Sequence, residues 1–546
     1  MTDAARSTDV VILGAGASGL CAALTAYEQG AEVLLLEKSD LVGGTAAISG
    51  GVIWAPDNPV MRRAGLSDSA AAARAYFESL APGQLDPPVL DAFLDHCSET
   101  LAFLEREAPL EFSLLEGYPD YYLDRPGALE GGGRALDNGL FSFLELGEWR
   151  ERVRHNGSPY PLMLRETPLG GATGAVDPQE LARRVANDER GFGQALIGGL
   201  LKACLDRGIE PQLETDVLRL HRSGDRIAGV VIRADDGEQV IHARHGVLIC
   251  TGGFEWNEQL RTTFLKGPLT HPASPPTNQG DGLKLAMEAG AQLGNMTSAW
   301  WAPTLAIPDD EWFGEQRATP VLLERTAPHS IIVNRAGKRF CNEAANYSAL
   351  AGAFHYQDPN AYATVNLPCW VLFDAQYRER YPVGPLQPGE PLPDWIHTAP
   401  TLSALAQALG IDGAALENTV RQFNADVAAG ADTQFQRGAS PYDRFYGDRS
   451  RPGAAATLGP LEQAPFFAIE LKIGALGTNG GPRTDAEGRV LNQQGAVIPG
   501  LYAAGNAMAG PTGPVYAGAG GTLGPALTSG YLCGRAAARG AGNRLG

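Results

Sequence analysis

The alternation of apolar and polar positions divides the chain into stretches of different period. Residues 9–13 form a short apolar run behind Asp9, the pattern of a buried strand. Residues 18–29 carry apolar positions at helical spacing and stop at Gly30. Residues 32–36 form a second apolar run that ends at Glu37. The spacing predicts a strand, a turn, a helix and a second strand in one βαβ unit. Helical periodicity returns over 69–80 and 89–107, and over 178–206 around a break at Gly191 and Gly193. Residues 118–133 read as a loop rich in aromatics and glycine. From 211 to 250 the period changes, and strands are expected at 213–220, 227–232, 239–243 and 247–250. Turns at Ser223-Gly224-Asp225 and Asp235-Asp236-Gly237 separate them. The meander ends in Thr251-Gly252-Gly253, as if re-entering the first sheet. Between about 296 and 474 the texture shifts to more Pro, Trp and Tyr, with fewer buried strands expected. Beyond Gly477 glycine is frequent again, and a helix is expected over 523–539.

These shifts predict an α/β protein whose first domain is interrupted. Residues 1–295 and 475–546 would form one nucleotide-binding domain, and 296–474 an inserted α+β domain. The length of 546 residues suits two or more domains. A formal charge of -19 repels phosphate backbones, so nucleic acid is not an expected partner. Seven cysteines (21, 97, 204, 250, 341, 369 and 533) are scattered without a C-x-x-C pair. That argues against a disulfide framework, a zinc site, an iron–sulfur cluster and a c-type haem. Reduced thiols in a cytoplasmic protein are expected, and no metal site. Residues 10–26 are apolar enough to imitate a signal-peptide core, but Asp9 precedes them and glycines interrupt them. No other apolar run reaches the ~18 residues of a membrane span.

The turn between the first strand and helix is Gly14-Ala15-Gly16-Ala17-Ser18-Gly19. Gly14 permits a tight turn, Gly16 lets the backbone approach a pyrophosphate, and Gly19 lets helix and strand pack closely. The helix N-terminus offers free N–H groups to phosphates. Glu37 can accept hydrogen bonds from a ribose. With 68 glycines in the chain, chance alone supplies about one such motif, so the strand, helix and acid around it carry the inference. A second glycine-rich stretch, Gly43-Gly44-Thr45 with Ser49-Gly50-Gly51, suits a ligand longer than NAD lying across the domain.

These segments, with Gly500-Leu501-Tyr502-Ala503-Ala504-Gly505-Asn506, resemble the glutathione-reductase-like flavoproteins. The resemblance implies a Rossmann-like FAD-binding domain, with the inserted domain capping the flavin as in the fumarate reductase branch. The candidate cofactor-binding residues are Gly14, Gly16, Ala17, Ser18, Gly19, Glu37, Lys38, Gly43, Gly44, Thr45, Ser49, Gly50 and Gly51. Val217, Thr251, Gly252, Gly253, Asp281, Gly505, Asn506, Gly521, Thr522 and Leu523 complete the set.

Within that branch four segments resemble the 3-ketosteroid Δ1-dehydrogenases. They are Tyr118-Pro119-Asp120-Tyr121-Tyr122, the run from Gly337-Lys338-Arg339-Phe340 to Asn346-Tyr347, Phe423-Asn424 with Arg437-Gly438 and Pro441-Tyr442-Asp443, and the run from Val515-Tyr516 through Gly520 to Ala526. The resemblance implies that Tyr347 is a general base beside a ketone. Tyr516 and the Gly520 N–H would hold the carbonyl oxygen, and Tyr121 would support the base. The product would be an α,β-unsaturated ketone, most simply a 3-ketosteroid dehydrogenated at its 1,2 bond. The chemistry suits these residue types, because donors on the carbonyl oxygen stabilise an enolate-like transition state. A phenol with a pKa near ~10 needs help to act as a base. Reduced flavin would pass electrons to an external acceptor, a quinone or another carrier.

Other readings stay open. A smaller cyclic ketone, or the 4,5 bond of a 5α-steroid, would use the same chemistry. Asn346 stands where many steroid enzymes carry proline, and the Pro-, Leu- and Gly-rich stretch 156–176 could reshape the substrate path. A fumarate reductase-like enzyme would need an arginine in the loop after Asn342-Glu343, and none is there. A flavin carrier without catalysis is the remaining reading.

Overall fold

The computed structural model describes residues 6–155, 157, 161–172, 174–234 and 237–539. The expected turn residues Asp235-Asp236, and 156, 158–160 and 173 of the stretch 156–176, lie outside them. The chain forms two units, one of Met1–Leu265, Ser274–Ala299 and Gly477–Gly546, the other of Lys266–Ala273 and Trp300–Leu476. The second unit thus also takes 266–273, which the sequence pattern had assigned to the first domain. The reason is backbone pairing: the N–H groups of Thr270 and His271 bond Ile473 O, and Ala273 N–H bonds Ala475 O.

The first unit is built on β1 (Arg6–Leu13), α1 (Ala17–Glu28) and β2 (Val33–Leu36). The strands Gly237–Ile249 and Val497–Ala503 extend this sheet in parallel, and Arg489–Leu491 closes it antiparallel. All of α1 from Ala17 to Ala26 is buried. Its small residues let it sit against the C-terminal helix Leu523–Arg539, where a Cβ on Gly530 or Gly534 would strike the carbonyls of Ser18 or Ala22.

The two expected strands 239–243 and 247–250 are one strand, Gly237–Ile249. Its first half pairs antiparallel with Arg226–Ala234, and its second half pairs parallel with β1. The polar Arg244 and His245 interrupted the apolar pattern because the register shifts there, opposite Thr8 and Val10. Both reach Asp9, Arg244 at 2.6 Å and His245 at 3.5 Å. The helical stretch 178–206 breaks, as expected, before Gly191 into Pro178–Ala186 and Phe192–Leu205, with Gly193 inside the second helix, and the strand expected at 213–220 is Val217–Ser223.

The second unit overturns the expectation of few buried strands. It holds a sheet in the order Glu315–Pro320, Ala299–Trp312, Phe466–Thr478, Cys369–Asp374, Ser330–Asn334, with His397–Ala399 beside Phe466–Thr478. Alternate side chains enter two separate cores. Ile332, Val371 and Phe373 point to one, and Ile331, Val333, Trp370 and Leu372 to the other, under the helices Leu402–Leu409 and Gly413–Ala429. A strand buried on both faces loses the alternation that marks a half-exposed one.

Candidate FAD and substrate sites

The carboxyl ends of β1, Gly237–Ile249 and Val497–Ala503 point to one edge of the first sheet, the place where open α/β sheets bind ligands. Gly14 turns there with φ +100°, and a Cβ on it would stand 2.5 Å from Cys250 O. A Cβ on Gly19 would overlap the Gly14 carbonyl oxygen. At Gly16 the added Cβ would find only Gly43 O, at 4.0 Å, so this glycine faces open space that a ligand can fill. Gly16 caps α1 without a side-chain cap bond, and the first turn carries no acid. The helix therefore presents uncapped N–H groups and its positive end to an anion.

The second glycine-rich loop lies beside the first. Gly16 bridges Gly43, and Gly43 N–H bonds Ala15 O at 2.8 Å. Gly44, Thr45, Ala46 and Ala47 form the single-turn helix α2 (Gly44–Ala47). Ser49 Oγ accepts the Gly51 N–H at 3.1 Å, next to Gly50. Glu37 accepts the N–H groups of Ala15 at 2.8 Å and Ser39 at 3.0 Å. Removal from water raises its pKa above the ordinary carboxylate range against those bonds. Lys38 pairs with Asp281, 2.5 Å away at the start of the helix Asp281–Glu288. Val217 opens its strand two residues after Thr215, whose N–H bonds Glu37 O.

Thr251, Gly252 and Gly253 follow Cys250, whose N–H bonds Leu13 O beside the turn at Gly14. Thr251 Oγ1 is buried with no hydrogen-bond partner among the described residues. Gly505 comes close to Ser18 Oγ and leads to Asn506. Gly521, Thr522 and Leu523 form the N-terminal approach to the C-terminal helix. Uncapped N–H groups, an open space at Gly16 and an unpartnered hydroxyl at Thr251 together fit the pyrophosphate and polar edges of FAD.

Sequence reasoning missed Gln194. Its side chain is buried, and both amide atoms lack a partner among the described residues. It lies one turn before Ile197 on the same helix face, and Ile197 packs against Gly43. It also missed Glu255 and Asn278, buried side chains against the Thr251–Gly253 turn. The tertiary fold brings Gln194 and Asn278 to the glycine-rich loops, whereas Glu255 follows Gly253 by two residues.

Three of the four candidate catalytic residues lie in the first unit. Tyr121 and Tyr516 stack with ring centroids 5.7 Å apart and planes 15° from parallel. Both are buried, and Tyr121 N–H bonds Ala517 O at 3.0 Å. The neighbouring Tyr122 instead packs against the hydrophobic core, its N–H bonded to Tyr76 Oη. Behind Tyr121 a buried network fixes the loop. Arg134 bonds Asp120 at 2.7 Å and both oxygens of Asp68, and Trp54 Nε1 bonds Asp120 at 2.9 Å. Gly520 adopts φ +87°, and its carbonyl accepts the Trp54 N–H at 3.1 Å. A Cβ there would overlap the Trp54 backbone. Gly520 is buried, and among the described residues no acceptor takes its N–H.

Tyr347 lies in the second unit, 6% exposed, at the end of a turn held by buried ions. Arg339 bonds Glu343 at 2.7 Å through two nitrogens and Asp432 at 3.0 and 2.8 Å. Arg437 reaches Glu343 at 3.3 Å and the carbonyls of Ser330 and Ala327 at 2.6 and 2.9 Å. Burial alone would raise the Glu343 pKa, but Arg339 and Arg437 hold the carboxyl below its usual range. Arg325 donates to the carbonyls of Glu343 and Ala345. Asn342 bonds Asp443 at 2.9 Å, and Asn424 exchanges two bonds with Leu461. The motif residues 337–347, 423–424, 437–438 and 441–443 are therefore one scaffold for the Tyr347 turn.

A family model described as an FAD binding domain matches residues 9–523. The 4-oxocyclohexanecarboxylate 2-dehydrogenase of Sinomonas cyclohexanicum is 42% identical over 97% of this chain and 93% of its own. The 3-oxosteroid 1-dehydrogenase of Mycobacterium tuberculosis is 37% identical over 98% of this chain and 99% of its own. The chain belongs to the FAD-dependent 3-ketosteroid Δ1-dehydrogenase family. The solved family member from Sterolibacterium denitrificans, in complex with 1,4-androstadiene-3,17-dione, superposes with a TM-score of 0.88 at 32% identity. That match covers 98% of this chain and 99% of the other. Like its family, the chain is an FAD-dependent dehydrogenase with the α/β flavoprotein fold. No helix among the described residues is long and apolar enough to cross a membrane.

Proposed function

We propose that this dehydrogenase desaturates the α,β bond of a cyclic ketone, with a 3-ketosteroid oxidised at its 1,2 bond as the substrate. The observation that carries the reading is the buried Tyr121–Tyr516 stack beside a Gly520 N–H that no acceptor among the described residues uses. Tyr516 Oη and the Gly520 N–H donate to the ketone oxygen. Charge accumulates on that oxygen as the neighbouring C–H bond breaks, so two aimed donors lower the barrier. Tyr347 removes the proton, its turn fixed by Arg339, Glu343 and Arg325. Tyr121 supports the base, its own ring stacked on Tyr516. Bound FAD supplies the acceptor for the hydride of the next carbon. An external carrier, a quinone or another oxidant, takes the electrons on. All seven cysteines are free thiols, which suits a cytoplasmic enzyme.

A second reading keeps the chemistry and changes the substrate. The 42% identity to an enzyme named for 4-oxocyclohexanecarboxylate supports a smaller cyclic ketone. Tyr347→Phe tests the mechanism common to both. It is expected to retain FAD and ketone binding and to lose turnover by roughly 10²–10⁴-fold. Tyr516→Phe is expected to lose about 10²–10³-fold in kcat, the effect of one oxyanion donor. Near wild-type rates in either variant would remove that residue from its role.

A further inference from the structure

We infer that Glu255 is a positioning residue for the flavin loops, a fixed buried negative charge that makes the bound cofactor harder to reduce. The inference rests on the reading that Thr45 and the Thr251–Gly253 turn face FAD. Glu255 is fully buried. One carboxylate oxygen accepts Ser274 Oγ at 2.6 Å and Asn278 Nδ2 at 2.7 Å, and the other accepts the Thr478 N–H at 3.2 Å. No Lys, Arg or His among the described residues forms an ion pair with it. A buried carboxylate without a cation is costly, and these donors offset only part of that cost.

Its position ties it to both loops. A Cβ on Gly253 would strike Glu255 Oε2, and one on Gly252 would come within 2.9 Å of Asn278 Oδ1. The carboxylate therefore lies against the backbone of the turn. The Asn278 amide that bonds Glu255 also donates to Thr45 Oγ1 at 2.9 Å. Glu255, Asn278 and Thr45 thus form one chain from the Thr251–Gly253 turn to the second glycine-rich loop. Thr478 joins it from a third segment, its hydroxyl accepting the Phe254 N–H at 2.9 Å. Hydrogen bonds position the loops, and the charge acts beyond contact. Electrons added near a fixed anion in a poorly screened interior are raised in energy.

The test uses the full-length holoenzyme and the midpoint potential of its flavin, measured by equilibration with a reference dye. Glu255→Gln is expected to retain FAD and to shift the potential to a more positive value. Glu255→Asp keeps the charge and is expected to return it close to wild type. Ser274→Ala removes the hydroxyl that bonds Glu255 Oε1 at 2.6 Å, disfavours the charged carboxylate and is expected to shift the potential in the same positive direction, which keeps the inference testable should Glu255→Gln fail to fold. Wild-type potentials in Glu255→Gln, or in Ser274→Ala, would overturn it. Thr45→Val is titrated with FAD separately. An unchanged Kd there would overturn the placement of the cofactor, whereas a weakened Kd with unchanged potentials would overturn the role of Glu255 alone.

Discussion

Gly16 and Gly19 separate what the nucleotide loop needs for folding from what it needs for its ligand. Gly16 has φ -83° and ψ -174°, extended backbone that alanine adopts without strain. A Cβ there meets no protein atom closer than 4.0 Å. Gly16→Ala is therefore expected to leave the apoprotein as stable as wild type, or more so by about 0.4–1 kcal/mol through the unfolded chain. The methyl group projects into the space assigned to the pyrophosphate. Forcing an extra methyl against a packed neighbour costs about 1–3 kcal/mol, and that weakens FAD binding by about 5- to 150-fold. At Gly19 the same methyl overlaps the Gly14 carbonyl, so Gly19→Ala is expected to lower apoprotein stability directly. The assay pairs thermal unfolding of each apoprotein with its titration by FAD, followed through quenching of flavin fluorescence. A Gly16→Ala protein that binds FAD like wild type, or that loses stability as apoprotein, would refute the reasoning.

Two further predictions concern buried charge. Asp137 is fully buried, and burial pushes its carboxyl up to about 6, against the bond from the Arg165 N–H. A raised folded-state pKa means the native state holds the proton more tightly, so stability is lost as pH rises from about 4 through 6. The full loss is about 3 kcal/mol, and Asp137→Asn is expected to raise the melting temperature at pH 8 and to leave it nearly unchanged at pH 4; equal effects at both pH values would contradict this. Glu343→Gln leaves Arg437 without a carboxylate and is expected to destabilise the second unit by about 3–5 kcal/mol in denaturant unfolding, and a change under 1 kcal/mol would show that the arginines find other partners.

Much of this was legible because some residues answer to local geometry. Gly14 and Gly19 occupy positions that backbone sterics dictate, Gly16 faces the space assigned to the ligand, and the acid after β2 follows from the length of one helix and one strand. The scaffold around Tyr347 was legible only as a resemblance. Its residues are ordinary arginines and acids until the fold brings Arg339, Asp432 and Arg437 onto one carboxylate. Strands 330–334 and 369–374 were hidden because both faces are buried, so their runs carry no alternation. The long strand through Arg244 and His245 was read as two because a bulge turns polar residues toward Asp9. Tyr121 and Tyr122 could not be separated in one dimension. Adjacent side chains diverge, and the three-dimensional path of the loop sends Tyr121 to Tyr516 and Tyr122 to the core. Glu255 and Asn278 gave no signal, since Asn278 meets Thr45 and Glu255 meets Thr478 across more than two hundred residues of chain.

The central claim is the oxidation of a cyclic ketone at the expense of the flavin, and anaerobic bleaching of the purified yellow holoenzyme tests it most directly. In separate mixtures the protein would meet 4-androstene-3,17-dione, 4-oxocyclohexanecarboxylate and succinate. Loss of the oxidised-flavin absorbance with the steroid ketone is the expected result, and it should vanish in Tyr347→Phe. Bleaching by the smaller ketone alone would keep the chemistry and replace the substrate. Bleaching by succinate alone would contradict the account.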